Sequence, residues 1–113
     1  MKRISILIFV AMLSFCSCEN KKAFPTLDDP CDLISYSINV VPIIDTHCAI
    51  AGCHVAGFLP GDFTTYGGVY AQIKNGFFQS KVLEQRSMPP SDSLNESELQ
   101  ILQCWVDHGA LNN

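Results

Sequence analysis

Six cysteines in a chain of 113 residues, at positions 16, 18, 31, 48, 53 and 104, constrain this sequence more than any other feature. The number is high for an ordinary cytosolic fold and low for a disulfide-dense miniature scaffold, so each sulfur needs its own account. The first two close the stretch MKRISILIFVAMLSFCSC. Lys2 and Arg3 give it a positive start, Ile4 to Phe15 is apolar except for Ser5 and Ser14, and Glu19, Asn20, Lys21 and Lys22 end the apolar run at once. That is the layout of an export signal, and it is well short of the roughly 20 apolar residues that cross a bilayer as a helix.

The Ser17-Cys18 junction resembles the cleavage site of bacterial lipoproteins, where the peptidase cuts before a cysteine that receives the lipid. A small residue suits the position before the cut, and Phe15 before Cys16 is bulky. The expected organisation is a signal peptide over 1–17, a lipidated Cys18 with a linker to residue 30, and one folded domain over 31–113. Pro25, Asp28, Asp29 and Pro30 and the lack of apolar periodicity mark the linker. Lipidation at Cys16, or loss of both cysteines from an ordinary secreted protein, are the alternatives. The expected location is the cell envelope, lipid-anchored to a bacterial membrane and facing the periplasm or the cell surface.

With 11 acidic against 7 basic residues and a net charge of −4, the chain lacks the positive surface that nucleic-acid binding requires, and nucleic acid is excluded as a partner. Residues 31–113 leave roughly 80 positions for a core, a size that usually needs a covalent or cofactor staple.

The next two cysteines stand in His47-Cys48-Ala49-Ile50-Ala51-Gly52-Cys53-His54. Haem attachment usually reads Cys-x-x-Cys-His, in which two thiols add to the haem vinyl groups and the histidine after the second cysteine becomes the proximal iron ligand. Here four residues stand between the thiols instead of two, and small Ala49, Ala51 and Gly52 allow the extra length to bulge outward. A zinc site built from Cys48, Cys53, His54 and one of His47, Cys104 or His108 is an alternative. So is a plain Cys48–Cys53 disulfide.

Methionine usage bears on the same question. Met1 and Met12 fall in the signal, leaving Met88 as the one methionine of the domain, in Ser87-Met88-Pro89-Pro90. The prolines hold the backbone extended and remove amide donors, so the thioether is presented from a stiff loop as a distal iron ligand. Packing in the core is the competing account of Met88. His47 lies too near His54 in sequence to reach the opposite face of a haem. His108, in a last helical turn, is read as a surface residue, with iron ligation as its alternative.

These residues, in order, resemble the class I cytochrome c family, in particular the small mono-haem exported lipoprotein type found in Bacteroidetes. The similarity runs through Cys31-Asp32, Val41-Pro42-Ile43-Ile44, Cys48 to His54, Tyr66, Met88-Pro89-Pro90, and Trp105 to Asn113 with its Trp-x-x-x-Gly-Ala pattern. It implies an all-α fold of three to four short helices around one covalent haem c, thioethers at Cys48 and Cys53, and axial ligands His54 and Met88. The longer spacing between the thiols departs from the family pattern.

Helical spacing of Ile38, Val41, Ile44 and Cys48 predicts a first helix leading into the haem motif, with Pro42 in its first turn and Ser37 or Asn39 as cap. Residues 57–68 are expected as loop, with Phe58, Leu59, Pro60 and Phe63 forming a haem wall. A short helix is expected over 68–75, closed by Gly76. Asn95-Glu96-Ser97-Glu98 is a capping box opening a last helix that stops at Gly109, with Leu94 and Leu99 as a staple and Leu99, Leu102 and Val106 as its inner stripe beside Ile101 and Trp105. By the resemblance Trp105 packs where this helix crosses the first; an ordinary core tryptophan accounts for it equally well.

With both axial positions supplied by protein, the expected function is one-electron transfer, not catalysis. Redox proteins docking transiently at the haem edge are the expected partners, and an acidic carrier favours a basic patch on them. Two alternatives are a haem enzyme or sensor in which Met88 dissociates, and a haem-free lipoprotein adaptor stabilised by disulfides. Cys31 and Cys104 remain after the other sulfurs are assigned; in an oxidising envelope they are expected to pair, with two buried free thiols as the alternative.

Overall fold

The computed structural model describes residues 29–91 and 93–113. The proposed signal, Cys16, Cys18 and the linker up to residue 28 lie outside the described residues. Among the described residues the structure is helical, without strands: a 3-10 turn Pro30–Leu33, a π-helical turn Tyr36–Val40 that runs straight into α1 (Val41–His47), α2 (Tyr66–Lys74), a π-helical segment Gln79–Glu84, and α3 (Glu96–Asp107). No helix among them is long and apolar enough to cross a membrane.

The first helix begins earlier and winds more loosely than the sequence suggests. Tyr36, Val40, Ile44 and Cys48 are its buried positions, four residues apart, together with Ile43. The π turn adds residues to the first coil and so rotates Ile38 outward, to 73% exposed, where the sequence placed it inside. The N-cap is Ser35, not Ser37 or Asn39. Asn39 acts in reverse: its Oδ1 accepts the Ser35 N–H at 2.8 Å, satisfying a donor at the helix start. Pro42 does lie at the beginning of the α-helical part, where its missing N–H costs nothing.

α2 starts two residues before its expected boundary because Thr65 caps it, its hydroxyl accepting the Gly68 N–H at 3.1 Å. Asn75 is its C-cap and Gly76 follows at φ 80°, the left-handed conformation that stops a helix. A side chain at Gly68 would collide with the Asp62 carbonyl, so this glycine lets the loop before α2 fold back onto its first turn.

α3 follows its sequence closely. The Glu98 N–H donates to Asn95 Oδ1 at 3.0 Å and the Asn95 N–H to Glu98 Oε2 at 2.9 Å, completing the capping box. Leu94 and Leu99 are both buried in the core. At the other end the Gly109 N–H donates to the Val106 carbonyl and the Ala110 N–H to the Trp105 carbonyl, a Schellman stop with Gly109 at φ 87°. The Gly-Ala pattern after Trp105 is therefore helix-ending chemistry. Leu99, Leu102, Cys104 and Trp105 form the buried face, while Val106 and Ile101 are only partly covered.

Trp105 sits at the junction of α3 with the Tyr36 turn. Its ring stacks on Tyr36 at 5.2 Å between centroids, Tyr36 meets Tyr66 edge-on at 5.1 Å, and its indole N–H donates to the Leu111 carbonyl at 2.9 Å. The C-terminal residues close over this cluster. Tyr66 O–H donates to the Ala110 carbonyl, and Asn113 accepts from the backbone N–H groups of Tyr36 and Ser37. Cys31 and Cys104 form a disulfide with Cα atoms 5.0 Å apart, joining the start of the domain to its last helix across 73 residues. In the chain-entropy picture a loop of that length contributes about 4 kcal/mol.

Candidate functional site

α1 delivers the chain to Cys48, which caps the helix and is buried. The backbone then loops and returns: the Cys53 N–H donates to the Ile50 carbonyl at 2.9 Å and the His54 N–H to the Cys48 carbonyl at 3.0 Å. Ile50, Ala51 and Gly52 are exposed at the tip, with Gly52 at φ 84°. The two residues beyond the usual spacing are thus taken up outside the core, and the His54 backbone is pinned beside Cys48.

His54 is held from two sides. Its Nδ1 lies 3.2 Å from the Gly61 carbonyl, which can only accept, so Nδ1 carries a proton and in the neutral ring Nε2 holds the lone pair. Its ring stacks on Phe63 at 4.0 Å between centroids and 11° between planes. The Phe63 N–H donates back to the His54 carbonyl at 2.9 Å, closing a loop that carries both residues. A histidine fixed through one nitrogen to a backbone carbonyl, with the other nitrogen basic, has the arrangement that metal-ligating histidines show.

Met88 arrives from the far side of the sequence. The π-helical segment Gln79–Glu84 ends in a turn in which the Lys81 carbonyl accepts the N–H groups of both Ser87 and Met88, at 2.9 and 3.1 Å. Just before it, the Arg86 guanidinium binds Glu96 at the start of α3 through two hydrogen bonds, the shorter 2.6 Å. The Met-Pro-Pro loop is therefore suspended between two helical elements, and Met88 is 40% exposed.

These pieces enclose one cavity of about 430 Å³. Cys48, Cys53, His54 and Met88 all line it, so four chemically distinctive residues from two remote stretches of sequence meet at one cavity. Phe58, Pro60, Phe63, Phe77, Phe78, Val82, Pro89 and Pro90 supply the apolar remainder. Leu59, expected in the wall, instead points away and is 90% exposed. The volume and apolar character are those of a cofactor or small-molecule site.

Some lining residues fall outside what the sequence pattern points to. Phe77, Phe78, Lys81 and Val82 come from a segment in which no helix was expected, and Gln72 from the face of α2 turned to the Pro60 loop. The only available signal was Phe78 and Val82 at a spacing of four. His47 also lines the cavity, with Nε2 3.1 Å from Glu98 Oε1.

Cys48 and Cys53 are free thiols, not a disulfide. Burial, and then the neighbouring Cys53, push the Cys48 thiol up to about 11, so it stays protonated at neutral pH. Their donor atoms and that of His54 do not converge within 4.8 Å of one another, as a tetrahedral zinc quartet requires; among the described residues only Asp29, Asp32 and His108 do so, and all three are exposed. Cys104 is committed to Cys31 and His108 bonds the Cys104 carbonyl, so neither completes a zinc set. His108 is outside the cavity lining, in line with a surface role. No family model, curated protein or solved structure matches the chain, so the site is read from its own geometry and chemistry.

Proposed function

We propose that the cavity holds one haem c, attached through Cys48 and Cys53 and ligated by His54 and Met88, and that the chain is a one-electron carrier with a small class I cytochrome c fold. The observation that carries this reading is the convergence of both thiols, a histidine bonded through Nδ1 to a backbone carbonyl, and the domain's one methionine on a single apolar cavity. When bound, the haem supplies a one-electron couple, and a histidine–methionine pair favours the reduced state more than stronger donors do.

The chain's own residues do the rest. Cys48 and Cys53 tether the group to the end of α1, and the Gly61 carbonyl orients His54 and raises its donor strength. Phe58, Phe63 and Phe78 give the cavity apolar walls. With His54 and Met88 both holding the iron, exchange of electrons with docked redox proteins would be the remaining activity. Anchorage through a lipid on Cys18, to a bacterial membrane in the cell envelope, completes the proposal.

One observation favours a second reading. Met88 is 40% exposed, and the hydrogen bond that fixes it is made by its backbone N–H, so a haem sensor or enzyme in which the thioether leaves has structural room. Electrochemistry with a carbon monoxide challenge decides between them. The carrier reading expects a reversible one-electron couple, no carbon monoxide binding by the reduced unaltered chain, and binding gained in Met88→Ala. Carbon monoxide binding by the unaltered chain would establish the sensor reading instead.

A further inference from the structure

The Gly61 carbonyl can orient His54 only if its own loop is held still, and one side chain outside that loop does so. Gln72, on α2, donates from Nε2 to the Pro60 carbonyl at 2.9 Å. Asn75, the C-cap of α2, donates to Gln72 Oε1 at 3.4 Å, so the amide's acceptor side faces the helix and its donor side faces the loop. The contact is close: a Cβ added at Gly61 would lie 3.2 Å from Gln72 Nε2. The loop itself is short, with the Gly61 N–H bonded to the Phe58 carbonyl at 3.1 Å, so a shift at Pro60 is passed to Gly61.

We propose that Gln72 is a positioning residue for His54: by holding the Pro60 carbonyl it fixes the adjacent Gly61 carbonyl, and through it the tautomer and tilt of the imidazole. The chain of contacts runs from Asn75 through Gln72, Pro60 and Gly61 to His54 Nδ1. It links the C-terminal end of α2 to the ring that faces the cavity. Its effect on iron rests on the proposed haem reading; its effect on the imidazole does not.

The test uses two variants. Gln72→Leu removes the donor, and Gln72→Glu keeps the length while presenting oxygen to the Pro60 carbonyl. In haem-free protein, in buffer alkaline enough to keep imidazoles neutral, long-range nitrogen–proton NMR correlations report which ring nitrogen of His54 is protonated. The unaltered chain is expected to show the Nδ1–H form, and both variants a shift toward Nε2–H. In haem-loaded protein the same variants are expected to raise the midpoint potential, because a less strongly held Nδ1–H makes the ligand a weaker donor. An unaltered chain already in the Nε2–H form overturns the proposal with no variant needed. Unchanged tautomer and potential in both variants, with covalent haem present, overturn the positioning role alone. The tautomer shift in a chain that takes up no covalent haem upholds the role of Gln72 and removes the haem reading.

Discussion

The surroundings of Trp105 and the surroundings of the cavity are held together in different ways. Around Trp105 the contacts span the whole domain: Tyr36 and Ser35 bond Asn113, Tyr66 bonds Ala110, and Cys31 is joined to Cys104. Around the cavity most are shorter in range, His54 to Gly61, Gln72 to Pro60 and Met88 to Lys81, with His47 to Glu98 the one long tie among them. Large apolar side chains at the cavity, Phe58, Phe77 and Met88, stay partly exposed, whereas Trp105, Leu102 and Val40 are fully covered. One region closes on itself; the other presents apolar surface, sulfur and imidazole inward and depends mostly on local bonds for shape. Function is expected in the second kind of region, where local stability is low enough to admit a large group.

The sharpest way to break this comparison is to alter each region and ask which property fails. His54→Ala is expected to cut covalent haem incorporation by more than about tenfold while leaving the helix content of the haem-free chain intact, since only the cavity loses a contact. Pigment yield and far-ultraviolet dichroism check the two halves of that statement. Breaking the disulfide should do the reverse. Cys31→Ala with Cys104→Ala is expected to lower unfolding stability by about 4 kcal/mol, read as a drop in urea midpoint that reductant reproduces in the unaltered chain.

Between these lies a pH effect at their border. The Cys48 thiol is raised by burial from its ordinary value of 9.0 to about 11. A group whose folded value is raised contributes stability that is present below its unfolded value and lost as pH rises through the folded one. The haem-free protein, with the Cys31–Cys104 disulfide intact and Cys48 a free thiol, is therefore expected to lose about 2–3 kcal/mol between pH 9 and pH 11. Burial also raises Tyr36 and Tyr66, which adds a loss of the same sign above pH 10. Denaturation across this range should show the slope beginning near pH 9 in the unaltered chain and only near pH 10 in Cys48→Ala.

Smaller effects sharpen the comparison. Gly68→Ala forces a methyl group against the Asp62 carbonyl and is expected to cost about 1–3 kcal/mol, disturbing the loop that carries Gly61. Asn95→Ala removes the acceptor of the capping box and should cost about 1 kcal/mol, with no effect on the cavity. Thermal unfolding measures both.

Much of this was legible in the sequence, for reasons that differ by element. α3 was readable end to end because its cap, its stripe and its Schellman stop are all local chemistry. The cavity residues Cys48, Cys53, His54 and Met88 were readable because sulfur and imidazole are scarce and their spacing is constrained. The first helix was misread at Ile38 because a π turn changes the period on which apolar spacing depends. The segment Gln79–Glu84 was missed for the same reason, and with it Phe78 and Val82 in the cavity wall. Leu59 looked like wall because composition cannot tell which member of Phe58-Leu59-Pro60 a tight turn will expose. Gln72 could not have been found at all, since its role is a hydrogen bond to a backbone carbonyl twelve residues away.

The central claim is that Cys48, Cys53, His54 and Met88 hold a covalent haem. A pyridine haemochrome spectrum of the full chain, produced alongside the haem-attachment machinery and denatured before reading, tests it most directly. The account predicts one haem per chain that stays with the polypeptide, and two fewer titratable thiols than in the haem-free protein. A denatured chain with no covalent haem, and with Cys48 and Cys53 both still reactive or joined to each other, would contradict it.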